Sequence, residues 1–126
     1  MLSNSKVMPN LPVVNLKRAR GFYEQKLGLK PNGEEQNDQV TYNCGGGTGL
    51  HLYTRNEPTK PEHTSATFEV NSVEESVKEL KSKGVKFEEY DIPGIKTVNS
   101  IATVGNDKGA WFKDTEGNIL CVHQRI

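Results

Sequence analysis

The sequence is poor in residues that staple, charge or anchor a chain. Its only two cysteines, Cys44 and Cys121, are far apart and neither sits in a CxxC pair. That excludes a disulfide framework and a four-cysteine zinc site, and reduced thiols are the expectation. There is no surplus of charge either, since 16 Lys and Arg offset 16 Asp and Glu. Without a basic stripe or an acidic block, nucleic acid is not an expected partner. No apolar run approaches the roughly 20 residues of a membrane-spanning helix. Met1–Lys6 has no apolar run behind a positive charge. No membrane partner and a cytoplasmic location are therefore expected.

What is present is 126 residues, enough for one compact domain that buries about two thirds of the surface its unfolded form exposes. The clearest local signal lies near the end. Gly109–Phe112 and Ile119–Gln124 alternate apolar and other residues on either side of Asp114-Thr115-Glu116-Gly117-Asn118. Those turn residues tolerate positive φ, so the stretch reads as strand, tight turn, strand.

Taken in order, Val7–Val14 places Val7, Leu11 and Val13 on one parity and Met8, Asn10 and Pro12 on the other. Its prolines favour an edge strand or a bulge. Asn15 is a helix cap, and Leu16, Ala19, Phe22, Tyr23 and Leu27 recur at helical spacing up to Gly28. Leu29-Lys30-Pro31 starts a short strand. Gln39–Cys44 alternates with Val40 and Tyr42 on one side, and Leu50–Thr54 alternates again. The glycine run 45–49 between them reads as a hairpin turn, because a phosphate loop would need a helix directly behind it. Arg55–Glu62, with Pro58 and Pro61, is the only plausible linker.

The pattern then begins again. His63–Val70 alternates, with Ala66, Phe68 and Val70 on one face and His63, Ser65, Thr67 and Glu69 on the other. Asn71 or Ser72 caps a helix carrying Val73, Val77 and Leu80 that ends at Gly84. Laying Leu11–Leu16 over Phe68–Val73 keeps the apolar parity in step, so the chain reads as an internal duplication. Val85–Tyr90 is the next expected strand, and Pro93–Val104 is expected as a flap over one end of the sheet.

This doubled order, strand, helix and three strands, carries three further marks: Asn15-Leu16, then Phe22-Tyr23 with Leu27-Gly28, and the closing Phe112–Asn118. With them the chain resembles the glyoxalase/bleomycin-resistance/extradiol-dioxygenase proteins of the vicinal oxygen chelate superfamily, over nearly its whole length. The resemblance implies an α+β fold: tandem βαβββ modules, about residues 6–55 and 63–126 of a single domain, forming a curved mixed sheet around a cleft with helices outside. It also implies a small-molecule ligand and a homodimer in which two chains complete each other's sites.

Metal-using members of the family draw ligands from cleft-facing positions on the first and last strand of each module. Counting from caps and turns places Met8, His51, Ser65 and Cys121 there. Methionine and serine are poor ligands for hard or borderline ions, and one histidine cannot hold an ion alone. No cofactor is expected on this count. A divalent metal stays possible through a shifted set built from His51, Cys121 and one of His63, Glu69 or His123, all of cleft-facing parity.

The function expected is therefore a small-molecule-binding protein of the glyoxalase/bleomycin-resistance type without the usual metal centre. The alternative is a metal-dependent lyase, isomerase or dioxygenase using the shifted set around His51, with Glu69 as the proton-moving base. The candidate ligand-binding residues are Met8, Asn10, His51, Tyr53 and Ser65, with Thr67, Trp111, Cys121 and His123. Two of them carry a second reading. Trp111 and Tyr53 suit stacking on a planar ligand, while Trp111 equally suits the core. Cys121 is either a thiolate nucleophile activated by His51 or His123, or a buried inert thiol.

Overall fold

The computed structural model describes residues Met1–Ile126. The expected duplication is present, and its register shows it. Strand β1 (Asn10–Val13) runs parallel to β4 (Gly49–Thr54) with Asn10 opposite His51 and Leu11 opposite Leu52. Strand β5 (Thr64–Glu69) runs parallel to β10 (Ile119–Arg125) with Thr67 opposite Cys121 and Phe68 opposite Val122. Each module thus closes its first strand against its last.

The modules make two hydrogen-bonded mixed sheets rather than one continuous sheet. The first holds β1, β4, β3 (Gln39–Asn43) and β2 (Lys30–Pro31), in that order. The second holds β5, β10, β9 (Asp107–Lys113), β8 (Ile101–Val104), β7 (Ile95–Val98) and β6 (Asp91–Ile92). Pro12 sits in β1, which is an edge strand, where its missing N–H leaves no ladder bond unmade.

The helices start where their caps dictate. In the first module, Asn15 Oδ1 accepts from Arg18 N at 3.0 Å to open α1 (Leu16–Gly21). In the second, Ser72 Oγ accepts from Glu75 N at 3.2 Å to open α2 (Val73–Ser82). Such caps are worth about 1 kcal/mol each. Beyond Gly21 the first helix widens into a π turn, Phe22–Lys26, closed by Leu27 N donating to Phe22 O at 3.1 Å. The wider turn lets the neighbours Phe22 and Tyr23 both enter the core, edge to face at 5.5 Å. Gly28 and Gly84 follow the helices at φ +74° and +88°, the left-handed conformation that ends them. One apolar cluster, including Leu11, Val13, Tyr23, Leu52, Val77, Phe112 and Val122, joins both helices to both sheets.

The closing turn does more than reverse the chain. Tyr23 Oη donates to Asp114 Oδ2 at 2.6 Å, and Asn118 Nδ2 donates to Pro12 O at 2.9 Å. Glu116 Oε1 accepts from the backbone N–H of Val14 and Asn15 at 2.8 and 2.9 Å, while Arg18 binds the same carboxylate through Nε and Nη2. The last turn of the second module therefore holds the helix start of the first.

Two expected elements differ. Val85–Tyr90 is not a strand: only the single bridge Phe87–Phe112 forms, supported by Glu88 N donating to Trp111 O at 2.8 Å. One edge of β9 is shared: Phe112 bridges to Phe87, while the other end pairs with β8, Ala102 opposite Gly109 and Val104 opposite Asp107. Consequently Pro93–Val104 is not a loose flap. Pro93-Gly94, with Gly94 at φ +87°, turns β6 into β7 as a hairpin, and β8 then joins the sheet.

Candidate functional site

Helix packing buries alternate strand positions and leaves the others on an open face of each sheet. On the first sheet Leu11, Val13, Leu50 and Leu52 are buried, so Asn10, His51 and Tyr53 have the opposite parity. On the second, Phe112, Leu120 and Val122 are buried, which sets Trp111, Cys121 and His123 on the open face with Ser65, Thr67 and Glu69. The strand candidates alternate with the buried positions, although Cys121 is itself buried, while Met8 and His63 precede β1 and β5; the candidates fall into separate groups.

On the first sheet, Met8 lies over Gly49, its Sδ 2.9 Å from where a β-carbon on that glycine would stand. Asn10 is exposed beside it, with Nδ2 donating to Met8 O at 3.1 Å. Thr41 Oγ1 lies 2.8 Å from His51 Nδ1, and His51 Nε2 lies 2.8 Å from Gln39 Oε1. Both ring nitrogens are thereby engaged, and ligation of an ion would have to break one of these bonds. His51 borders a polar recess of about 340 Å³ with Asn32, Glu34, Gln36 and Asn37. Tyr53 is half-buried opposite Gln39 and Pro12.

On the second sheet, Trp111 lies beside Gly109, where a β-carbon would stand 3.4 Å from the indole edge and 3.5 Å from Cys121 Sγ. The indole Nε1 donates to Thr64 Oγ1 at 3.1 Å, and the Tyr90 ring meets the indole edge-on at 5.6 Å. These two rings, Ile92 and Ile95 of the β6–β7 hairpin, Ile119, and Glu62, His63 and Thr64 line a cavity of about 250 Å³. An apolar cavity with a few polar groups at one side is the usual chemistry of a small-ligand site.

Cys121 is buried, its thiol donates to Val122 O at 3.4 Å, and burial pushes its pKa up to about 11. It is a neutral thiol at physiological pH, as in the inert-thiol reading. Ser65 is half-buried and Thr67 exposed.

His123 lies between two carboxylates, with Nε2 donating to Asp107 Oδ1 at 2.8 Å and Nδ1 to Glu69 Oε1 at 2.5 Å. Carboxylate oxygens only accept, so both nitrogens carry protons and the ring is an imidazolium. The Asp107 bond does most to raise its pKa; desolvation opposes it, and the Glu69 bond adds to the rise. Arg125 Nε also donates to Asp107, at 3.1 Å. NMR titration should place the His123 midpoint above the ordinary histidine value, and Asp107→Asn should lower it more than Glu69→Gln does.

These placements separate the shifted metal set. His51 stands on the first sheet with its nitrogens engaged, Cys121 is protonated on the second, and His123 and Glu69 are bonded to each other. His63 borders the tryptophan cavity at the start of β5, while Glu69 ends the same strand, so the two do not form an acid–base pair. No group of three or more His, Cys, Asp or Glu side chains is arranged to hold a metal ion.

Several residues of these sites escaped the sequence reading. Gln39 and Thr41 were legible, since Val40 and Tyr42 face the core and leave them the other parity. Ile92 and Ile95 flank Pro93-Gly94, a hairpin signal in its own right. Nothing local marked Tyr90 or Asp107, whose roles arise from distant partners.

Among curated proteins, none matches this sequence. Solved structures share its fold over almost its whole length. An antibiotic-binding protein from Streptomyces sp. CB03234 is 19% identical, with 100% of this chain and 99% of that one covered at a TM-score of 0.70. The genomically encoded fosfomycin resistance protein FosX from Listeria monocytogenes is 13% identical, with 98% and 94% covered at 0.71. A glyoxalase/dioxygenase from Nostoc punctiforme is 15% identical, with 98% and 92% covered at 0.70. The sequence profile of the Glyoxalase/Bleomycin resistance protein/Dioxygenase superfamily matches residues 7–122, and the chain belongs to that superfamily.

Proposed function

We propose that this protein binds a small, flat, largely apolar molecule against Trp111, in the cavity beneath the β6–β7 hairpin, and that it does so without a resident divalent ion. The observation that carries this reading is the half-exposed indole, held from one side by Tyr90 and Thr64 and bordering a cavity walled by three isoleucines. A fixed aromatic surface gains stacking and apolar contact from a planar ligand at little entropic cost. Thr64, His63 and Glu62 supply the polar rim that would orient it. A solved structure of the same fold is that of an antibiotic-binding protein, which accords with a binding role.

The metal-free part rests on the donor set. Met8 and Ser65 are weak donors, Cys121 is held as a neutral thiol, and His51 has committed both nitrogens. The competing reading is a lyase, isomerase or dioxygenase organised around His51, and it requires that ring to release Thr41 or Gln39.

Trp111 is the only tryptophan, so emission excited selectively over the four tyrosines reports on this cavity. Titration with aromatic metabolites and antibiotics should quench or shift its emission saturably. By calorimetry, Trp111→Ala should weaken the best ligand on the order of tenfold to a hundredfold. Ligand binding unaffected by Trp111→Ala would remove the proposal. Metal analysis of untagged protein after incubation with zinc, nickel, manganese and ferrous iron should find no retained ion. One ion per chain, lost in His51→Ala, would establish the competing reading instead.

A homodimer belongs to the same proposal, because β1 and β5 each keep one unpaired edge and Val7 and Met8 are exposed beside β1. Light scattering that found one chain per particle at micromolar concentration would remove this part.

A further inference from the structure

The opposite side of the sheets holds a second cavity that plays no part in the proposal above. It lies where the end of the first helix meets α2, and its volume is about 190 Å³. Leu27 and Leu29 come from the first module, Phe68 and Leu80 from the second, and Phe112 and Val122 form its floor. Of eight apolar residues left half-buried against the core, five line this one cavity: Leu27, Leu29, Phe68, Val70 and Leu80. The apolar seam between the modules is therefore underfilled at a single place. An apolar cavity of about 150 Å³ can already hold benzene, so the space suits a small ring or a short alkyl chain.

Its rim is charged. Lys26, Lys83 and Glu79 stand at the mouth, a net single positive charge. Lys83 faces Glu79 at 3.9 Å, a distance at which the pair is weak. Lys26 has no carboxylate partner, and its Nζ lies 3.5 Å from the place where a β-carbon on Gly84 would stand. The end of α2 does not hold that ammonium: Leu80 O accepts from the N–H of Lys83 and Val85, and Lys81 O from that of Gly84. An unpaired cation thus stands over an apolar floor.

We infer that this seam binds a small amphipathic carboxylate, its apolar tail between the two modules and its carboxylate at Lys26 and Lys83. Ordered desolvation of the tail and a charge-assisted hydrogen bond at the rim act together, as each alone would be weak. Such a ligand would tie the first module to the second from the helix side, independently of any ligand at Trp111.

The test is backbone-amide NMR titration with hexanoate, hexanol and hexylamine. Hexanoate should saturate with shifts centred on residues 26–29 and 80–84, more tightly than hexanol, while hexylamine leaves them unmoved. Lys26→Gln should weaken hexanoate roughly tenfold and leave hexanol unchanged. Ser76 borders the cavity, and its hydroxyl makes no hydrogen bond. Ser76→Leu should fill the mouth and abolish both, with the amide spectrum otherwise preserved. The proposal is overturned if hexanoate binds no better than hexylamine, if its shifts fall around Trp111, or if Ser76→Leu leaves binding intact.

Discussion

Replacing Asp114 by alanine should lower the free energy of unfolding by about 3–5 kcal/mol, the range for breaking a buried polar network. The side chain is buried, and its two oxygens accept four hydrogen bonds. Oδ1 takes the backbone N–H of Glu116 and Asn118, both at 2.8 Å, which fixes the turn. Oδ2 takes Asn118 Nδ2 at 2.8 Å and the Tyr23 hydroxyl at 2.6 Å, which ties the turn to the first helix. Alanine at this position strands a fully buried tyrosine hydroxyl, the backbone N–H groups of Glu116 and Asn118, and one hydrogen of the Asn118 amide without acceptors. Tyr23→Phe removes a single bond together with its donor and should cost only about 1 kcal/mol. Urea unfolding separates the two cases. An Asp114→Ala loss no larger than that of Tyr23→Phe would show that the network carries little.

Glu116 should give the second large effect, and it should depend on pH. Burial works to raise the pKa of this carboxyl, yet Arg18, the N–H groups of Asn15 and Val14, and Thr115 together outweigh it and lower the value to about 2. Its unfolded counterpart titrates near 4.3. The folded state is therefore favoured by the ionised carboxylate above the unfolded pKa, and the contribution is lost as pH falls from there toward about 2. The linkage corresponds to roughly 3 kcal/mol at neutral pH. Glu116→Ala should remove a comparable amount and flatten the decline in stability between pH 5 and 2, a window set by the two pKa values. Stability measured across that window in both proteins is the check. A decline of equal steepness in Glu116→Ala would assign acid sensitivity to other carboxylates.

These two residues were legible in the sequence only as turn formers. Asp114, Gly117 and Asn118 announced a reversal through their backbone preferences, and the reversal is there. That Asp114 and Glu116 also reach Tyr23, Val14 and Arg18 could not be read locally, because those partners lie in the other module. The same divide runs through the fold. Caps, helix stops and strand parity depend on neighbours within a few positions, so Asn15, Ser72, Gly28 and Gly84 all took their expected places. Which segment takes which part of the outer edge of β9, Phe87 opposite Phe112 and Ala102 opposite Gly109, is decided only when the sheet assembles. The candidate site followed suit: parity set Cys121 and His123 on the cleft face and left Trp111 open between cleft and core, and it gave no sign of Tyr90 against the indole or Asp107 against the imidazole.

The bonds between the closing turn and the start of α1 also order events in time. Their partners stand 98 to 106 positions apart in the sequence. A ribosome delivers the chain from its N-terminus at about 5–20 residues per second, so the first module emerges seconds before the groups that complete it. Until Glu116 appears, the N–H groups of Val14 and Asn15 lack their native acceptor, and Tyr23 lacks Asp114. The first half alone also lacks the cover that Phe112 and Val122 give to Val13 and Tyr23 in the shared apolar cluster. Contacts this distant also slow folding by the loop-closure entropy they require. The doubled architecture is thus repetitive in sequence and space, yet its two halves mature as one unit.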